Sequence, residues 1–343
     1  LSSAASDVYK RQEFDWEGEW VSSKFAELLP HRRYKSNRRV EHENWFMEDS
    51  AAVYMRREVE IPVPVRKATA FICGLGYYEL YINGRKVGDR VMDPLFTDYD
   101  KRVVYATYDV TDYFSTGSNA FGILLGNGWY SLPTRDVFGM HDANWHTPPK
   151  VRLNVVVEYE SGARDVIVTD RTWKWGHGEI VYNSVRSGET IDHTKSVHGW
   201  NEPGFCDSLW RNVCHVPAPL GKLTADPMPP MRVAKELKPV GITETGPGVY
   251  LVDFGENLTG WVETRVRGSR GQTVELQFNE VLKADGSLDT QNSTWHTRGR
   301  YQTELLILGG DGEETFEPRF TYHGFRYMPV SYTHLRAHET RSN

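Results

Sequence analysis

Alternation with a period of two constrains this chain most, because it fixes which face of a pleated backbone is buried. Residues 78–82 read Tyr-Glu-Leu-Tyr-Ile, run into Asn83-Gly84 and resume at Arg85-Lys86-Val87. Both central residues of a type I′ turn need positive φ, so this arrangement predicts a β-hairpin. Further strands are predicted at 103–108, 120–125, 151–159 and 166–168, rich in β-branched and aromatic residues and separated by Gly, Asp and Ser. The same grammar continues at 250–252, 261–266, 274–278, 301–308 and 325–327. No stretch of comparable length carries a 3.6-residue apolar repeat. Pro217, Pro219, Pro227, Pro229, Pro230 and Pro239 exclude a central strand and predict an extended connector over 216–240. The expected fold class is all-β, two consecutive β-sandwich or jelly-roll domains.

Charge and cysteine usage narrow the functional classes. With 46 acidic against 40 basic side chains, the net charge of −6 argues against a dedicated nucleic-acid binder, which needs a basic excess to displace counterions. The basic run Arg32, Arg33, Lys35, Arg38, Arg39 is local and is read as a solvated surface segment. No apolar run approaches the ~20 residues of a membrane-spanning helix, so no membrane partner is expected. Cys73, Cys206 and Cys214 are odd in number and lack CxxC or Cys/His spacing, which indicates neither a disulfide framework nor a zinc site and favours a cytoplasmic over an exported parent. No phosphate-binding loop, HExxH or nucleophile elbow is present, and no cofactor or metal is expected. Asp285-Gly286-Ser287-Leu288-Asp289 lacks the oxygen ligands of a calcium loop and reads as a turn.

The two ends read differently from the rest. Asp7-Val8-Tyr9-Lys10-Arg11-Gln12 back-translates to GAT GTG TAT AAG AGA CAG, whose reverse complement, read two bases in, encodes Val-Ser-Tyr-Thr-His. Those residues stand at 330–334. An inverted repeat in shifted frames is what a sequencing adapter on both ends of a DNA fragment leaves. Residues 1–12 and 330–343 are therefore expected to be adapter-derived, and removing them moves the net charge from −6 to −8. The remainder divides into a lead-in at 13–44, a first domain at 45–215, the connector at 216–240 and a second domain at 241–329.

Specific stretches carry a family resemblance. Gly76-Tyr77-Tyr78-Glu79-Leu80-Tyr81-Ile82-Asn83-Gly84-Arg85-Lys86-Val87-Gly88-Asp89 resembles the N-terminal domain of bacterial α-L-rhamnosidases. So do Asp93-Pro94 with Thr97-Asp98-Tyr99, Leu125-Gly126-Asn127-Gly128-Trp129-Tyr130, and Ser187-Gly188-Glu189-Thr190-Ile191-Asp192 with Gly199-Trp200. Past the connector, Asp253-Phe254-Gly255-Glu256-Asn257, Glu280-Val281-Leu282 and His323-Gly324-Phe325-Arg326-Tyr327 are similar to the family's second β-domain. The resemblance implies a glycosidase that removes terminal α-L-rhamnose with inversion, acting on a rhamnose-containing saccharide or glycoside. It also implies that the carboxylate pair, about 6.5–9.5 Å apart in inverting enzymes, sits in an (α/α)6 barrel after the His-Gly-Phe-Arg-Tyr strand. That barrel is expected to be missing, so the partner of this chain would be the catalytic barrel of the same parent, and no catalytic residue is assigned.

Asn127, Trp129 and Tyr130 are the carbohydrate-binding candidates. The flanking glycines let the backbone approach a ligand, Asn127 offers a donor and an acceptor for hydroxyls, and an exposed Trp129 or Tyr130 stacks on a pyranose face. The alternative places Trp129 in a core. Relatives of this domain that bind rhamnose keep open a stand-alone carbohydrate-binding module. His323 is a candidate for the edge of the active-site cleft, with a satisfied structural histidine as the alternative. Asp253, Glu256, Glu280 and Asp285 are read as turn and loop hydrogen-bonding residues.

Overall fold

The computed structural model describes residues 16–24, 50–291 and 299–333. Residues 1–12, the basic run at 32–39, most of the lead-in and residues 334–343 lie outside them. Among the described residues there is no α-helix, only 3-10 turns at Thr111–Tyr113, Met140–Asp142 and His193–Lys195. No helix there is long and apolar enough to cross a membrane. The strands sort into two compact units: one holds the described residues up to Gly178 with Val197–Ala234, the other Glu179–Ser196 with those from Lys235 onward.

The first unit is a sandwich of two sheets. One has the order Cys214–His215, Val21–Ser22, Lys150–Tyr159, Val65–Leu75, Arg102–Asp109, Lys222–Ala225, with Arg164–Val168 also paired to Lys150–Tyr159. The other runs Arg211–Asn212, Lys174–Gly176, Val53–Ile61, Gly117–Gly126, Tyr77–Ile82, Arg85–Lys86. The expected hairpin closes through Asn83 at φ 52° and Gly84 at φ 77°, the positive pair that its turn demands.

Alternation assigns residues of Val65–Leu75 to two cores. Ala68, Ala70 and Ile72 meet Met55, Leu80 and Ile123 of the facing sheet, whereas Phe71, Cys73 and Leu75 point into a cluster with Trp16, Trp20, Tyr105 and Tyr130. Each large apolar side chain so buried contributes about 1.5–3 kcal/mol. Part of the expected connector belongs to this unit, since Lys222–Ala225 pairs in parallel with Arg102–Asp109. Its prolines bracket that edge strand without interrupting it, which is where a sheet tolerates them.

The second unit has a seven-stranded sheet, ordered Ile180–Ser184, Gly188–Asp192, Thr303–Ile307, Thr273–Gln277, His323–Thr333, Val249–Gly260, Gly241–Gly246. A two-stranded ribbon, Thr264–Arg267 with Glu313–Phe316, packs on it through Val266 and Phe316. The contiguous division at 45–215 and 241–329 also differs from the structure at a hairpin. The hairpin of Glu179–Ser196 leaves the first unit's stretch of sequence and adds two strands to the second unit's sheet, Gly188–Asp192 pairing in parallel with Thr303–Ile307. Residues 330–333, expected to open an adapter tail, continue the last strand: Val330 pairs with Tyr250 and Leu276, and Tyr332 with Val274.

Candidate functional site

The Gly117–Gly126 strand delivers the candidate loop at its end. Gly128, at φ 52°, lies so close to the neighbouring strand that a Cβ would sit 3.0 Å from Gly76 C and Tyr77 N. The tight turn, closed by Ser131 N–H donating to Asn127 O at 3.0 Å, turns two of the three candidates inward. Asn127 is 2% exposed, and its Nδ2 donates to Ser50 O at 2.9 Å. Tyr130 is 1% exposed, its hydroxyl 2.9 Å from Thr147 Oγ1 and its ring edge-on to Tyr99 at 5.2 Å. Neither presents the group that a sugar would use. The reason is local: with the glycines bending the backbone, an Asn side chain satisfies a buried carbonyl and a Tyr ring fills the cluster behind the sheet.

Trp129 is half-buried and keeps a surface. Its ring lies edge-on to Phe96 at 6.1 Å, and Phe96, which stands 46% exposed, packs edge-on to Tyr99 at 5.6 Å. Of the three candidates only Trp129 keeps a surface, where it forms a ring pair with Phe96. Phe96 was not singled out from sequence; its signal was an aromatic in a turn just ahead of Thr97-Asp98-Tyr99.

His323 is no edge residue. It is 0% exposed inside the second unit, stacked on Phe278 at 4.4 Å, with Nε2 2.5 Å from Glu304 Oε1. The strand that carries it is flanked on both sides in the sheet, so its inward face is core. Around it lie residues that the sequence reading did not connect. Glu304 and Glu189 are each 0% exposed, and Glu304 Oε2 accepts from Glu189 N–H at 2.6 Å. The Glu189 carboxylate accepts from Phe320 N–H at 2.5 Å and Arg319 N–H at 3.1 Å. Arg300 donates to Thr190 Oγ1 at 2.6 Å and to the carbonyl oxygens of Thr303 and Glu189. The available signal was a glutamate beside apolar residues in a short strand, as in Thr-Glu-Leu-Leu-Ile of Thr303–Ile307.

The other acids take structural roles. Asp253 is held low by its paired hydrogen bonds from Arg326 at 2.9 and 3.0 Å, helped by Gly255 N–H at 2.7 Å. Asp285 accepts from Ser287 N–H at 2.9 Å within its turn. Among the described residues, no group of three or more His, Cys, Asp or Glu is placed to hold a metal.

Two family models match the chain in sequence order: the alpha-L-rhamnosidase N-terminal domain over residues 63–235 and the bacterial alpha-L-rhamnosidase concanavalin-like domain over 243–342. This chain belongs to the α-L-rhamnosidase family. An alpha-L-rhamnosidase of Formosa agariphila is 33% identical over 92% of the chain and 34% of its own length, and one of Streptomyces avermitilis is 40% identical over 82% and 27%. The solved alpha-L-rhamnosidase of Dictyoglumus thermophilum superposes with a TM-score of 0.79 at 36% identity, over 95% of this chain and 35% of that one. The Streptomyces avermitilis enzyme, solved in complex with L-rhamnose, gives 0.77. The chain spans about a third of the length of these relatives. It corresponds to rhamnosidase β-domains, and no (α/α)6 barrel occurs among the described residues. The hairpin of Glu179–Ser196 falls inside the N-terminal-domain match yet belongs physically to the concanavalin-like sheet.

Proposed function

We propose that this chain is the non-catalytic β portion of an α-L-rhamnosidase, a glycoside hydrolase acting on terminal α-L-rhamnose of glycosides or polysaccharides. The observation that carries this reading is the pair of family matches in sequence order, the first falling on the first β unit apart from the Glu179–Ser196 hairpin and the second on the second unit. The acid and base would come from the barrel of the same parent chain, to which these units supply support and substrate-facing surface. The 343-residue chain is expected to show no turnover of an aryl α-L-rhamnoside. Measurable release of the aryl group, abolished by no contaminant-removal step, overturns the assignment of catalysis elsewhere.

The second reading is saccharide binding by the first unit, favoured by the Phe96–Trp129 ring pair at its surface. An accessible ring face offers an apolar surface to a pyranose, and a millimolar dissociation constant corresponds to about 4 kcal/mol. L-Rhamnose titrated into the chain is expected to change tryptophan emission with a millimolar midpoint, and Trp129→Ala to remove the response. A flat titration at millimolar sugar ends this reading without touching the first.

A further inference from the structure

The stretch that matches the concanavalin-like domain begins at residue 243, yet its sheet contains two strands drawn from Glu179–Ser196. Without them Thr303–Ile307 would be an edge strand, with one row of its N–H and C=O groups unpaired. Those groups are not at a surface. Gln302 and Thr303 are buried, and their amides donate to Arg186 O at 3.0 Å and Ser187 O at 3.1 Å, in the turn of the hairpin. The Arg319 and Phe320 amides donate to the Glu189 carboxylate. Four main-chain donors of the later sequence thus find their acceptors on the hairpin, and a buried donor left without one is costly.

Side chains grip the hairpin from the same side. Ile191 is buried in one core with Leu306 and Phe316. Just past the second strand, His193 stacks on Phe316 at 3.9 Å, with Nδ1 2.8 Å from Glu314 Oε2. The hairpin is therefore held at its turn, along its second strand and beyond its end, and none of these contacts passes through the connector. Residues 231–236 of the connector are all exposed. Arg232 pairs back to Asp89 and Lys235 forward to Glu256, so the stretch between them is bonded to neither.

Such a grip is that of strand donation, in which a segment gives main-chain bonds to a sheet edge and side chains to its pockets. We propose that the groove formed by Thr303–Ile307, the Arg319 and Phe320 amides and Phe316 is a peptide-binding site whose occupant is the chain's own Glu179–Ser196 hairpin, and that this site keeps the N-terminal stretch on the concanavalin-like sheet without the connector. The concanavalin-like domain is then incomplete as its own sequence match defines it.

A protease recognition sequence placed between Ala234 and Lys235 tests this on the full chain. Once the link is cut, the pieces must bind as two molecules instead of one. They are expected to elute together in size exclusion at a concentration on the order of 1 μM, and to part only in denaturant. The Gln302, Thr303, Arg319 and Phe320 amides, all donors to the hairpin, are expected to exchange hydrogen as slowly in the cut protein as in the uncut one. This measurement needs no variant and distinguishes a retained hairpin from any other association of the pieces. Gly188→Ala, whose Cβ would meet Thr303 O at 2.2 Å, should weaken the cut assembly by on the order of 100-fold, seen as separation on dilution. Pieces that part in native buffer, reporter amides that lose protection on cutting, or a cut Gly188→Ala chain that holds as tightly as the unaltered one would each overturn the proposal.

Discussion

Replacing Arg56 by methionine is expected to lower the unfolding free energy of the first unit by about 3–5 kcal/mol, the usual cost of breaking one side of a buried ionic network. The Arg56 side chain is 2% exposed on the Val53–Ile61 strand. Its Nε donates to Trp200 O at 2.9 Å, and Nη2 to Glu202 O at 3.1 Å and Glu58 Oε2 at 3.0 Å. Nη1 pairs with the Asp207 carboxylate, whose other oxygen takes Lys174 Nζ at 2.7 Å. One guanidinium therefore collects the carbonyls of the returning segment at 200–207 and holds it on the strand. Methionine fills much of the volume but leaves these acceptors without their donor, and each buried acceptor left unmade costs about 1–3 kcal/mol. Eight described tryptophans lie in the first unit and only Trp261 in the second, so urea unfolding followed by tryptophan emission reports this unit. An unchanged midpoint and slope would refute the assigned role.

The second large effect is expected at Gly188, where the hairpin turns. Its φ is +98°, and a Cβ there would lie 2.2 Å from Thr303 O, an atom of the strand beside which the hairpin lies. Gly188→Ala thus combines backbone strain of about 1–3 kcal/mol with a collision against main chain that cannot swing aside. A loss above about 3 kcal/mol is expected in the second unit, seen as raised exchange of the Thr303–Ile307 amides. Gly286 supplies the control. It too has positive φ, 83°, but nothing lies within 4 Å of its Cβ position, so Gly286→Ala should cost only the strain of its turn. Equal effects at the two positions would show that φ alone, and not the close approach, governs Gly188.

Much of the fold was legible because strand alternation and turn chemistry are local. Asn83-Gly84 fixed a hairpin on conformational grounds that no tertiary contact needed to supply. Runs such as 151–159 and 274–278 announced strands through β-branched and apolar residues at every second position. Family membership was legible for the same reason, in motifs concentrated at turns and strand ends. The candidate site was legible only in outline. Sequence does not say whether residues in and after Gly126-Asn127-Gly128 point out or fold back, and here Asn127 and Tyr130 fold back while Trp129 stays at the surface beside Phe96.

By itself the sequence determined an all-β chain, its turns, and its membership of the rhamnosidase family, since each of these depends on residues within a few positions of one another. Only the tertiary structure decided which sheet a strand joins and which polar groups meet. Gly188–Asp192 was not among the strands legible in sequence, and nothing in its residues names Thr303–Ile307 as its neighbour. Nor does any spacing bring Glu189, Glu304 and His323 into one buried cluster. Parallel pairing across so long a separation is chosen by the total burial it allows, and that quantity exists only when the whole chain is folded.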